Sequence, residues 1–155
     1  MIKANPYMHK CITLAKKAYK LREVPVGCVI VDLESKKIIS SAYNKPNINK
    51  DPTLHAEIIA IRKACKHLKS KVLPNTAIYI SLEPCAMCAA AISYAQITQI
   101  FYGAKQPKFG ALETAVSYFS LPIATYKPEI YGGILEEEAQ KLMQDFFKNI
   151  RGTQG

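Results

Sequence analysis

An α/β domain built on a sheet of mixed strand direction is what this sequence predicts, and three observations predict it. Its 155 residues, 49% of them apolar, suffice for one sizeable core without a second domain. Two β-rich runs, 26–32 and 37–43, are separated by Leu33-Glu34-Ser35-Lys36, a spacing suited to an antiparallel hairpin. Further on, strand, helix and strand follow one another within 77–102, the signature of a βαβ unit with parallel strands and a right-handed crossover.

The elements follow in order. Asn5-Pro6 offers an N-cap with proline at the first helical position, and Met8, Cys11, Ile12, Ala15, Ala18 and Tyr19 recur at helical spacing to about residue 22. After the hairpin, 44–50 is polar, with Pro46 and three asparagines, and reads as a loop. Asp51-Pro52 or Thr53 can cap a second helix carrying His55, Glu57, Ile58, Ile59 and Ile61. Residues 77–82 form a strand, 85–94 a helix after Pro84, and 98–102 the next strand. A loop over 106–110, a helix over 112–119, a further short strand and a terminal helix over 134–150, entered after Gly132-Gly133, complete one domain spanning 1–155. No repeat or low-complexity linker divides it.

Composition excludes several classes. No apolar run approaches the ~20 residues of a membrane span. The first residues, Met-Ile-Lys-Ala-Asn-Pro, lack the apolar centre of a secretion signal, so the cytoplasm is the expected compartment. Five cysteines in such a chain do not read as a disulfide framework. Cys11, Cys28 and Cys65 lie in apolar segments and read as core residues, leaving Cys85 and Cys88 with metal-ligand spacing. A net charge of +9, from 21 basic and 12 acidic residues, favours a polyanionic partner without identifying one.

The chemistry concentrates in His55-Ala56-Glu57 and Pro84-Cys85-Ala86-Met87-Cys88. Cysteines at i and i+3 in the first turn of a helix turn both sulfurs to one side, and the free N–H groups there favour thiolate. His55 adds a nitrogen ligand, and three protein ligands leave the fourth tetrahedral position of a zinc ion open for water, as in catalytic sites. Zinc brings the pKa of such a water towards neutrality. A closed structural zinc site is the alternative, but it needs a fourth protein ligand that no nearby cysteine supplies; His9 and His67 read as surface residues. Positions i and i+2 of a helix face nearly opposite ways, so His55 and Glu57 can serve one metal only if the site lies off the helix end. Glu57 then touches the water without binding the metal and carries protons to a ring nitrogen and to a departing amine. This arrangement matches the established signature of zinc-dependent nucleobase deaminases.

At these residues the chain resembles the cytidine and deoxycytidylate deaminase superfamily, and within it the bacterial tRNA-specific adenosine deaminases. The resemblance runs through Glu23-Val24-Pro25-Val26-Gly27, Asn44-Lys45-Pro46, Asp51-Pro52-Thr53, Leu82-Glu83-Pro84-Cys85-Ala86-Met87-Cys88, Tyr102-Gly103-Ala104 and Phe146-Phe147-Lys148. It implies a three-layer α/β/α cytidine-deaminase-like fold with a mixed five-stranded sheet, a homodimer, and conversion of the wobble adenosine of a tRNA anticodon to inosine. It also implies zinc on His55, Cys85 and Cys88, Glu57 as proton shuttle, and Asn44 as a hydrogen-bonding partner of the flipped nucleotide. Ala56, through its backbone, and the side chains of Val26 and Leu82 would wall the base pocket. Asn44 could equally cap a turn beside Pro46, and Val26 and Leu82 could be ordinary core. Where the family commonly has D-x-K-x-G, this chain has Gln106-Pro107-Lys108-Phe109-Gly110; where it often has Asn-His-Arg, this chain has Thr125-Tyr126-Lys127.

Basic residues cluster at Arg62, Lys63, Lys66, Lys69 and Lys71, and again at Lys148 and Arg151. Each could meet phosphate, or simply complement a helix C-terminus; Phe146 and Phe147 read as core. A deaminase of guanine, cytosine or a nucleotide would use the same zinc ligands. So would an inactive zinc-binding partner subunit, against which the intact Glu57 stands.

Overall fold

The computed structural model describes residues 5–153, with side chains described over 5–150. The opening Met1 to Ala4 and the side chain of Arg151 lie outside the described residues. α1 (Pro6–Lys20) starts as the sequence predicts, the Asn5 side chain accepting the Met8 N–H at 2.9 Å. β1 (Gly27–Asp32) and β2 (Ile38–Tyr43) form the hairpin. α2 (Ala56–Leu68), β3 (Thr76–Leu82), α3 (Ala86–Tyr94) and β4 (Gln99–Ala104) follow, then β5 (Glu129–Tyr131) and α4 (Glu136–Thr153).

The sheet runs β2-β1-β3-β4-β5. β1 is antiparallel to both its neighbours, whereas β3–β4 and β4–β5 are parallel. α1 and α4 cover one face and α2 and α3 the other, giving three layers. Strands covered on both faces need apolar side chains at every position. Accordingly Cys28, Ile30, Ile78 and Ile80 pack towards α2 and α3, while Val29, Val31, Ala77 and Tyr79 pack towards α1. Ala56, Ala60 and Ala64, spaced by four, bring α2 down onto the sheet. Gly27 is required where α1 crosses β1, since a Cβ there would stand 2.0 Å from the Cys11 carbonyl oxygen. Cys11 and Cys28 are fully buried, and Cys65 lies half-buried at the core margin. Among the described residues no helix is long and apolar enough to cross a membrane.

Three local expectations are corrected. The helix expected over 112–119 is absent; the chain turns there and makes one 3-10 turn, Tyr118–Ser120. Its amides at Leu112, Glu113 and Thr114 all point at the Glu83 carboxylate, so the backbone follows that anion rather than a helical path. Neither Asp51 nor Thr53 caps α2. Asp51 closes a tight turn on the amide and hydroxyl of Thr53, and His55 occupies the N-cap with no side-chain cap bond. α4 begins at Glu136 rather than 134 because the Ile134 amide is tied to the Tyr102 carbonyl and Gly133 and Leu135 take positive φ.

Candidate metal centre

The carboxyl end of β3 and the starts of two helices meet at one point. His55 is the N-cap of α2 and Cys85 the N-cap of α3. A cap residue is extended rather than helical, so its side chain swings past the helix end. His55 Nδ1 lies 3.6 Å from Cys85 Sγ and 3.6 Å from Cys88 Sγ, and the three ligand atoms fall within 4.8 Å of one another. Tetrahedral zinc with Zn–S near 2.3 Å and Zn–N near 2.0–2.1 Å requires an N···S edge of about 3.6 Å. The donor set therefore fits zinc in type and in spacing, and the cofactor is zinc.

Glu57 is the second observation that fits. Only 3% exposed, its Oε1 is a buried side-chain oxygen without a hydrogen-bond partner. Such an atom is costly unless something donates to it. It stands beside the ligands without being one, as the off-the-end placement of the site requires. Burial pushes its carboxyl above the ordinary value, against the pull of His55. A carboxyl whose charged form is disfavoured by burial holds a proton more readily than a solvated one, as a proton carrier must.

The two thiols divide one proton in the absence of metal. Cys85, stabilised first by the Cys88 thiol and then by His55, is lowered to about 4, while Cys88, facing that thiolate and buried, is pushed up. His55 is raised by its contact with Cys85. Zinc held by both sulfurs would take them as thiolates, so metal uptake would expel the proton on Cys88.

A cavity of about 230 Å³ opens over these groups. It is smaller than the ~300–1,000 Å³ of typical drug-sized pockets, and suits one ring system. Asn44, Val26 and Leu82 line it, together with Pro46, Gln106 and Phe109. Asn44 Oδ1 accepts the Ala56 N–H at 2.7 Å. That bond fixes the orientation of the amide and leaves Nδ2, a donor, for the cavity. Ala56 itself is fully buried and does not line the cavity; its amide is spent on Asn44. Phe147, read as core, is 40% exposed and also lines the cavity, whereas Phe146 is buried. The basic cluster on α2 begins about 10 Å along the helix from His55, at Arg62, and runs on past the helix end about 20 Å away.

Sequence reasoning missed Glu83. It is 2% exposed and accepts from the amides of Gln106, Leu112, Glu113 and Thr114 and from the Thr114 hydroxyl. Burial raises its pKa, but these donors outweigh it and hold the group below the ordinary carboxylate value. Adjacency to Pro84-Cys85 was the available signal. No cation in sequence accompanied it.

A His/Cys/Cys donor set that fits zinc, a buried carboxyl beside it and a cavity for one ring together define a zinc-dependent hydrolytic deaminase. Comparison with known proteins gives the family. The cytidine and deoxycytidylate deaminase zinc-binding region matches residues 1–104, and the chain belongs to that family. A tRNA-specific adenosine deaminase of Rickettsia bellii is 47% identical over 144 residues, 93% of this chain and 99% of the relative. A solved structure from a study of A-to-I editing by tRNA:A34 deaminases at the wobble position of transfer RNA is 41% identical with a TM-score of 0.85, covering 88% of this chain and 97% of that one. A guanine deaminase from Nitrosomonas europaea superimposes with a TM-score of 0.79 over 92% of this chain and 85% of its own at 19% identity, which extends the likeness of fold alone.

Proposed function

We propose that this chain, acting as a single domain, deaminates the wobble adenosine of a tRNA anticodon to inosine. The observation that carries the choice of substrate is the shape of the cavity mouth. Past Gln106 and Phe147 it adjoins a larger cavity of about 770 Å³ that shares both residues and carries Lys105 and Lys148. A free base needs one enclosed pocket; a base still attached to a chain needs a groove for its phosphates. The +9 charge and the tRNA-specific relatives support the same reading.

Zinc, held by His55, Cys85 and Cys88, supplies an acidified water when bound. Around it, Asn44 Nδ2 donates to the nucleoside, and Val26 and Leu82 hold the ring. Glu57 takes the proton released as water adds at the amine-bearing carbon and passes it to the ring nitrogen; it then takes the remaining proton from the new hydroxyl, which becomes the carbonyl, and delivers it to the amine as the C–N bond breaks. Water and adenosine give inosine and ammonia. The test offers the purified protein its host's tRNA pool and, separately, free bases, nucleosides and nucleotides. Inosine at the anticodon is expected, and turnover of guanine or cytosine with none on tRNA would refute the reading. Binding to tRNA should weaken roughly tenfold between 50 and 200 mM salt if Lys105 and Lys148 each meet one phosphate.

The proposal includes the cytoplasm, where this substrate is met, and a second copy of the chain. α3 carries no charged residue, and its outer face, Ala86, Met87, Ala90, Ala91 and Tyr94, is apolar, with Tyr94 77% exposed. A helix apolar all round belongs inside. Sedimentation should give a dimer for the wild type and a folded monomer for Tyr94→Glu; a dimer that survives this change would place the interface elsewhere.

A further inference from the structure

Among the described residues, the buried carboxylates of Glu23 and Glu83 accept from backbone amides and a hydroxyl. Glu23 is 0% and Glu83 2% exposed. A buried anion is tolerated when donors fill its lone pairs, and the donors here belong to two particular loops. Glu23 accepts the amides of Asn47, at 3.1 Å, and Ile48, at 3.0 Å. These belong to the loop 44–51, which brings Asn44 and Pro46 to the cavity. Glu83 accepts the amides of Gln106 at 3.2 Å, Leu112 at 3.1 Å, Glu113 at 2.9 Å and Thr114 at 3.1 Å, and the Thr114 hydroxyl. These belong to the loop 105–114, which brings Gln106 and Phe109 to the same cavity. The second loop sits directly on its anion, since a Cβ at Gly110 would meet Glu83 Oε1 at 2.5 Å.

We infer that Glu23 and Glu83 are positioning residues, a pair of buried anionic anchors that each fix one of the two loops walling the base cavity. The inference concerns the site read above as a deaminase pocket and rests on that reading for its kinetic consequence. Neither carboxylate reaches the metal ligands' sulfur or nitrogen atoms as a partner. Glu23 holds its loop through backbone amides; Glu83, which also borders the cavity, holds its loop through backbone amides and the Thr114 hydroxyl. Glutamine is isosteric but presents one acceptor oxygen and an NH₂ that cannot receive an N–H. In Glu23→Gln, either Asn47 or Ile48 loses its acceptor. In Glu83→Gln, the least costly orientation turns the NH₂ towards the Thr114 hydroxyl, which can accept, and strands the Gln106 amide.

Amide hydrogen exchange on the intact zinc-loaded protein tests this without substrate. Glu23→Gln should speed exchange over 44–51 by about tenfold or more, the loss expected for a hydrogen bond to a charged group, and leave 105–114 unchanged. Glu83→Gln should do the reverse. Both should keep the zinc content of wild type. With whichever substrate the wild type turns over, KM should rise several-fold more than kcat falls in both variants. Unchanged exchange in the matching loop, or faster exchange spread equally through both loops and the core, overturns the inference. If either glutamine variant fails to fold, Asn47→Pro, which deletes one amide to Glu23, and Thr114→Val, which deletes one hydroxyl to Glu83, decide it by the same loop-specific exchange. Failure of the tRNA reading would show instead in the wild-type substrate survey, with the exchange result standing.

Discussion

Glu57→Gln is expected to keep one zinc per chain and to lose ammonia release by at least about 10³-fold, at the upper end of what a positioned general acid–base supplies. The substitution preserves volume and polarity, so the cavity keeps its shape, and the three ligand atoms do not include Glu57. What disappears is the carboxyl that, on the function proposed above, takes and returns the proton. The loss should fall on kcat with KM little changed, because a ring nitrogen must be protonated in the transition state but not in the ground state. The same change should leave the metal-free protein no less stable than wild type. Glu57 Oε1 is buried without a partner, and replacing a desolvated carboxylate by a neutral amide lowers that burial cost. Metal analysis, single-turnover assays and thermal melting of the chelated protein check the three parts. Normal turnover by Glu57→Gln would refute the proton-transfer role.

That residue also shows what could be read ahead of the structure. The ligand types, their order and the conflict between His55 and Glu57 at i and i+2 already demanded a metal off the end of a helix, and His55 at the N-cap of α2 is where the structure puts it. The hairpin and the βαβ unit were equally legible, because both are local patterns with short connections. What could not be read was long-range. The stretch 112–119 has apolar residues at helical spacing, yet its shape is set by a carboxylate some 30 positions earlier in the chain. Ala56 illustrates the same limit at the site, where a contact with Asn44 across 12 residues takes its amide out of the cavity. Phe147 looked like its neighbour Phe146, but one position further round α4, about 100°, separates a buried ring from one on the cavity rim.

Cys88→Ser should abolish stoichiometric zinc, and with it activity, in a chain that still folds. Serine nearly matches cysteine in size, and Cys88 is fully buried in the first turn of α3, so packing changes little. The ligand chemistry changes completely, since a serine hydroxyl remains protonated and hard where a thiolate is soft. Two remaining ligands, His55 and Cys85, then hold the metal far less tightly. Ligand binding to the native state adds RT ln(1 + [L]/Kd) to stability, about 4 kcal/mol at a thousandfold excess over Kd. Wild type should therefore melt at a temperature that rises with added zinc and falls with chelator, whereas Cys88→Ser should melt near the chelated wild type and respond to neither. The comparison separates metal loss from damage to the core: a variant melting well below chelated wild type has lost packing as well. Retention of one zinc per chain with normal turnover would show that Cys88 is not a ligand, and would return the site to a search for a different third donor.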